Sequence, residues 1–79
     1  MIVHLIRRGA DCYPLRIAQR GKHAVLLVSD GVFNEPLEDL TIYSSAACAR
    51  ERNVDPPGTA LEDAAIIDLI GRAEKVIAW

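Results

Sequence analysis

Apolar positions in this chain gather into short dense runs separated by polar breaks. Ile2 to Ile6, "IVHLI", and Ala24 to Val28, "AVLLV", are near-continuous β-branched and aliphatic stretches. Runs of that length, bounded by charge or glycine, read as strands buried on both faces, with His4 the one position in the first that turns away from the core. Between them, "CYPLRIAQR" places Leu15 and Ala18 on one face and Arg16 and Arg20 on the other. It predicts a helix of about two turns, with Asp11 as a cap, Pro14 in the first turn and Gly21 as the stop.

After Val28 the chain changes character at "SDGVFN" and runs through a polar, proline-bearing connection, "FNEPLEDL", which has room for one helical turn. Leu40 to Tyr43 predicts a third strand. "SSAACARERN" predicts a helix capped by Ser44 or Ser45 and ended by Asn53 and Pro56-Pro57-Gly58. Thr59 to Leu61 reads as a very short fourth strand. "EDAAIIDLIGRA" carries Ile66, Leu69, Ile70 and Ala73 at spacings of three and four, the stripe of an amphipathic helix, with Glu62 and Asp63 at its positive N-terminus. "KVIAW" closes the series as a last strand.

A strand, a helix and a second doubly buried strand make a βαβ unit, so the sheet is expected to be parallel. The whole series predicts a three-layer α/β sandwich with right-handed crossovers and a mainly parallel sheet of about five short strands. With 79 residues and no repeat or low-complexity tract, residues 1–79 are expected to form a single domain. The composition, 51% hydrophobic but only 5% aromatic, implies a core of aliphatic side chains and alanine. So small a domain buries a modest share of its surface, and an oligomer is expected.

Charge and motifs narrow the function classes. The formal charge is −2 with no basic block, which gives no reason to expect direct nucleic-acid or anionic-membrane binding. No apolar run approaches the roughly 18–20 residues that cross a bilayer. Arg7 and Arg8 follow the first apolar run, the reverse of a secretory signal, so a cytoplasmic protein with free thiols at Cys12 and Cys48 is expected. GxGxxG, GxxxxGK[ST] and GxSxG are all missing, and His4, His23 and the two cysteines show no ligand spacing. Neither a cofactor nor a metal is expected.

In open α/β sheets, ligands and partners meet the loops after the strand C-termini. Arg7, Arg8 and Asp30 fall there, either as an anion or partner-binding rim or as an ordinary solvated one. Asp30-Gly31 is expected to form a tight turn with glycine at positive φ, and Asp30 to cap a helical turn begun by Val32-Phe33. Such a turn presents Phe33 to a partner. Cys12 stands at a predicted helix start, where the dipole and Arg7-Arg8 favour thiolate and Asp11 opposes it, which makes it the candidate reactive residue beside a small-apolar reading. Cys48, among alanines, reads as a buried structural cysteine.

The first strand and helix, "AVLLVSDGVF", the strand near "TIY" and the final "IIDLIGRAEKVIAW" together resemble the DsrH/TusB family of DsrE/DsrF/DsrH-like sulfur-relay proteins. The resemblance rests on Asp30-Gly31-Val32 after an apolar strand, and on Asp68-Leu69 through Ala78-Trp79. It implies a Rossmann-like sheet and a subunit working with DsrE-like and DsrF-like (TusD/TusC-like) partners. Such assemblies move persulfide sulfur in tRNA 2-thiouridine synthesis or sulfur oxidation. A cysteine that some members carry in the first helix aligns with Pro14, two positions from Cys12. Either Cys12 carries persulfide or the subunit is structural. The alternative is a non-enzymatic α/β module that pairs with itself.

Overall fold

The structure is a computed structural model and describes residues 1–8, 23–35 and 40–79. Its frame is a five-stranded, all-parallel sheet made of β1 (Ile2–Ile6), β2 (His23–Leu27), β3 (Thr41–Ser45), β4 (Thr59–Leu61) and β5 (Lys75–Ala78). The spatial order is β4-β3-β2-β1-β5. The chain therefore steps outward from β1 to β4, then returns to pair β5 on the far side of β1. The run of apolar residues after His23 occupies the centre of the sheet, where both faces need cover.

Side chains alternate across the sheet and build two cores. Ile6, Val25, Leu27 and Ile42 face one way and pack with Val32 and with Ala49 of α1 (Ala46–Glu51). Val3 and Leu26 face the other way and pack against Leu69 of α2 (Asp63–Arg72), with Ile66 and Ala73 alongside. Helices on opposite faces of a parallel sheet make the three-layer, Rossmann-like α/β architecture that the hydrophobic pattern predicts.

Local chemistry explains the element ends. Ser45 caps α1, its Oγ accepting from the Cys48 N–H at 3.1 Å. Beyond α1, Asn53 takes the left-handed conformation (φ 56), where asparagine is tolerated better than most residues. Gly58 (φ 66) packs its Cα against the Ile42 carbonyl, so a side chain there meets backbone as well as an unfavourable φ. Arg50 bonds both carboxylate oxygens of Glu62 at 3.0 Å, tying α1 to the residue that precedes α2.

Three expectations are corrected. His4 is not turned out of the core; it is only 3% exposed, for reasons given below. Ile70 lies outside the buried stripe of α2, which Leu69 fills while Ile70 and Ile67 face solvent. Cys48 is half-buried against the α1-side core rather than fully enclosed. The helix predicted over "CYPLRIAQR" lies outside the described residues, as does much of "FNEPLEDL". Among the described residues, no helix is long and apolar enough to cross a membrane.

Candidate functional site

At the C-terminal end of β2 the chain does not leave the sheet at once. Val28 N–H still bonds the Ile6 carbonyl at 3.0 Å, and a five-residue 3₁₀ turn, Ser29–Phe33, follows. This turn corrects the sequence reading of "SDGVFN" in two respects. The positive φ falls on Ser29 (φ 50), not on Gly31. Asp30 sits inside the turn and caps nothing, since the N-cap position is Val28 and no side chain bonds there.

Gly31 is required for a different reason. Its Cα lies against the end of β1, and a Cβ built on it would stand well inside van der Waals contact of the Ile6 carbonyl oxygen. The turn is thus pressed onto the neighbouring strand. Asn34 holds its far end: the side-chain Nδ2 donates to the Arg8 carbonyl at 2.6 Å and to the Gly31 carbonyl at 2.9 Å. Asp30 holds the outer side, accepting from Arg52 Nε at 2.9 Å. Hydrogen bonding to Asp30 is the main cause raising the Arg52 pKa above its ordinary value, so the guanidinium stays charged.

These anchors leave Phe33 as the free member. Val32 turns into the α1-side core, and Phe33, one residue on, is 54% exposed. Arg7 and Arg8 lie just past β1, both exposed, and the Asn34–Arg8 bond brings their backbone beside the turn. The structure therefore gathers Arg7, Arg8, Asp30, Gly31 and Phe33 at one edge of the sheet. It does not direct Asp30 toward the two arginines, because its carboxylate is engaged by Arg52. Cys12 lies outside the described residues. Asn34 and Arg52 were not legible as members of this site: an asparagine after a turn is commonplace, and Arg52 is distant in sequence.

A second cluster was also not foreseen. His4 Nε2 and His23 Nδ1 stand 2.8 Å apart, with the rings stacked at a centroid distance of 5.0 Å. The indole Nε1 of Trp79 donates to His4 Nδ1 at 3.1 Å. The register explains the meeting. Ile2 pairs with His23, so His4 lies diagonally across on the same face, and β5 ends beside Leu5 where Trp79 follows. Strand register is not visible in a sequence, which is why the histidines read as isolated.

This cluster is a hydrogen-bond chain rather than a metal-ligand set. An indole N–H is a donor only, so His4 Nδ1 must accept. A neutral His4 then carries its proton on Nε2, which is the nitrogen a metal would need. Among the described residues, no group of three or more potential ligands converges. Burial, and then the charge of His23, push the His4 pKa below its ordinary 6.5, which keeps the ring neutral.

Comparison with known proteins returned no matching family model and no significant match among curated proteins.

Proposed function

We propose that the chain is a DsrH/TusB-like subunit of a sulfur-relay assembly, docking to DsrE-like and DsrF-like subunits through the edge that carries the 3₁₀ turn. The observation that supports this reading is the construction of that turn. Gly31 on Ile6, Asn34 on Arg8 and Asp30 on Arg52 fix it from three sides, and the one large side chain it presents is the exposed Phe33. A turn anchored on three sides and offering a single aromatic suits recognition, because the backbone that carries the aromatic is already shaped for a partner. Arg7 and Arg8 add positive charge beside it.

The alternative, a module that pairs only with itself, draws support from a different observation. Ile67 is 71% exposed on α2, and Val76 is open on the edge strand β5. Co-expression with a DsrE-like and a DsrF-like pair from the same genome separates the two. Docking predicts a stable hetero-complex by size-exclusion chromatography with light scattering, weakened by Phe33→Ala. Incubation of that complex with a persulfide donor, followed by mass analysis of Cys12 and Cys48, then decides between carrier and structural subunit. A homo-oligomer that captures neither partner would leave the self-pairing module.

A further inference from the structure

We propose that Trp79, His4 and His23 form a proton-operated latch, in which one proton taken up by the histidine pair disconnects the indole and frees the end of β5 from β1. The geometry fixes the direction of every bond in the chain. Trp79 Nε1–H donates to His4 Nδ1, so His4 carries its proton on Nε2 and donates to His23 Nδ1. His23 in turn carries its proton on Nε2. Both rings neutral is the one arrangement in which every facing pair is a donor and an acceptor.

Either imidazolium breaks the chain. A second proton on His4 goes to Nδ1 and faces the indole N–H, donor against donor. A second proton on His23 goes to its Nδ1 and faces His4 Nε2–H; His4 can relieve that clash only by moving its own proton to Nδ1, against the indole. The pair acts as one proton-accepting unit, and the indole is expelled in each case. Trp79 has somewhere to go: it is 46% exposed, whereas His4 is 3% exposed and sheet-bound. The last link between β5 and β1, Trp79 N–H to the Leu5 carbonyl at 2.9 Å, adjoins the expelled ring.

Among the described residues, the charged surroundings do not stabilise an imidazolium. From β2, the group facing His4 is His23 itself. From β5, Lys75 is a cation, and Glu74 is engaged by the Met1 amine at 2.6 Å. From α1, Arg50 is held by Glu62, and Arg52 pairs with Asp30 and Glu51. Lys22, the chain neighbour of His23, lies outside the described residues. Among the described residues, no carboxylate bonds either ring.

Trp79 is the chain's single tryptophan, so its fluorescence reports the latch directly. In the full chain, a reversible change in emission is expected as pH falls below 6.5, with far-UV circular dichroism unchanged. Over the same interval, hydrogen exchange of the Trp79 amide is expected to accelerate by about tenfold, equivalent to about 1.4 kcal/mol, after correction for the intrinsic rate. His4→Gln combined with His23→Gln preserves donors and acceptors without a titrating ring, and is expected to abolish the emission change. Nitrogen-15 spectra at pH near 7.5 are expected to show both rings protonated on Nε2, and Trp79→Phe to raise the pH at which His4 titrates. A proton on His4 Nδ1, an emission change that survives the double substitution, one that coincides with loss of circular dichroism, or unaltered titration in Trp79→Phe would each overturn the latch.

Discussion

Gly31 lies so close to the carbonyl of Ile6 that no side chain fits between them. The atom in the way is backbone of a buried strand, so it yields only if β1 or the turn moves. Gly31→Ala is therefore expected to destabilise the fold by about 1–3 kcal/mol, the usual range for forcing atoms into a packed interior. In a domain of this size that lowers the melting temperature by roughly 4–8 °C per kcal/mol. Thermal unfolding followed by circular dichroism measures it. A melting temperature equal to that of the parent would mean that the turn is not pressed onto β1.

Val32 and Phe33 are neighbours with opposite roles, and truncating each to alanine separates stability from association. Val32 packs against the α1-side core, so Val32→Ala is expected to cost about 2 kcal/mol, from two buried methyl groups and the space they leave. Phe33 contributes little to that core, and Phe33→Ala is expected to leave the urea midpoint within experimental error. Its effect should appear in the dissociation constant of the assembly instead. A large loss of stability in Phe33→Ala would place the ring in the fold rather than at an interface.

The parts of this architecture that depend on local pattern were legible in the sequence. Ile2–Ile6 and Thr59–Leu61 form strands over the residues expected, and Ser45 caps α1 as one of the two serines predicted for that task. What escaped depends on which strand lies beside which. The need for glycine at position 31 comes from Ile6, a residue far earlier in the chain on the adjacent strand, and no turn rule contains it. The expectation of positive φ there followed sound turn chemistry, yet the strain went to Ser29. The pairing of His4 with His23 likewise follows from register. Ile70 misled for another reason: Ile66, Leu69 and Ala73 supply the helix's contact with the sheet, and Ile70, next to Leu69 in the chain but turned about 100° round the helix, falls beyond the margin of that contact.

Ser44 and Ser45 give a sharper contrast than their adjacency suggests. Ser44 is 0% exposed and its Oγ finds no hydrogen-bond partner among the described residues. An orphaned buried hydroxyl carries a desolvation cost of about 1–3 kcal/mol. Ser44→Ala is therefore expected to be neutral or stabilising, despite full burial. Ser45 supplies the α1 cap, and Ser45→Ala is expected to cost about 1 kcal/mol. Urea denaturation of the two variants tests the pair together. A Ser44→Ala variant less stable than Ser45→Ala would show that Ser44 has a partner after all.

Stability should fall with acid in two separate steps, and His4 sets the first. His4 has its pKa lowered from 6.5, first by burial and then by His23, so the folded protein takes up that proton at lower pH than the unfolded chain does. Between the two values the unfolded state holds more protons, and stability declines as pH falls. The contribution is fully present above about 6.5 and is lost as pH drops through the lowered value of the folded state. The second step belongs to carboxylates. Glu62 is lowered from 4.5 by its hydrogen bond to Arg50 and then by that charge, and Glu74 by its hydrogen bond to the N-terminal amine and then by that charge. What they contribute is present above about 4.5 and disappears as pH falls through their depressed values; both are exposed, so solvent screening keeps this step small. Urea midpoints measured from pH 8 downward are expected to be flat, to fall first below 6.5 and to fall again below 4.5. His4→Gln should reduce the first decline and leave the second in place. A midpoint that stays flat down to 4.5 in the parent would mean that His4 binds its proton equally well in the folded and unfolded states, and that the buried ring pays nothing for being charged.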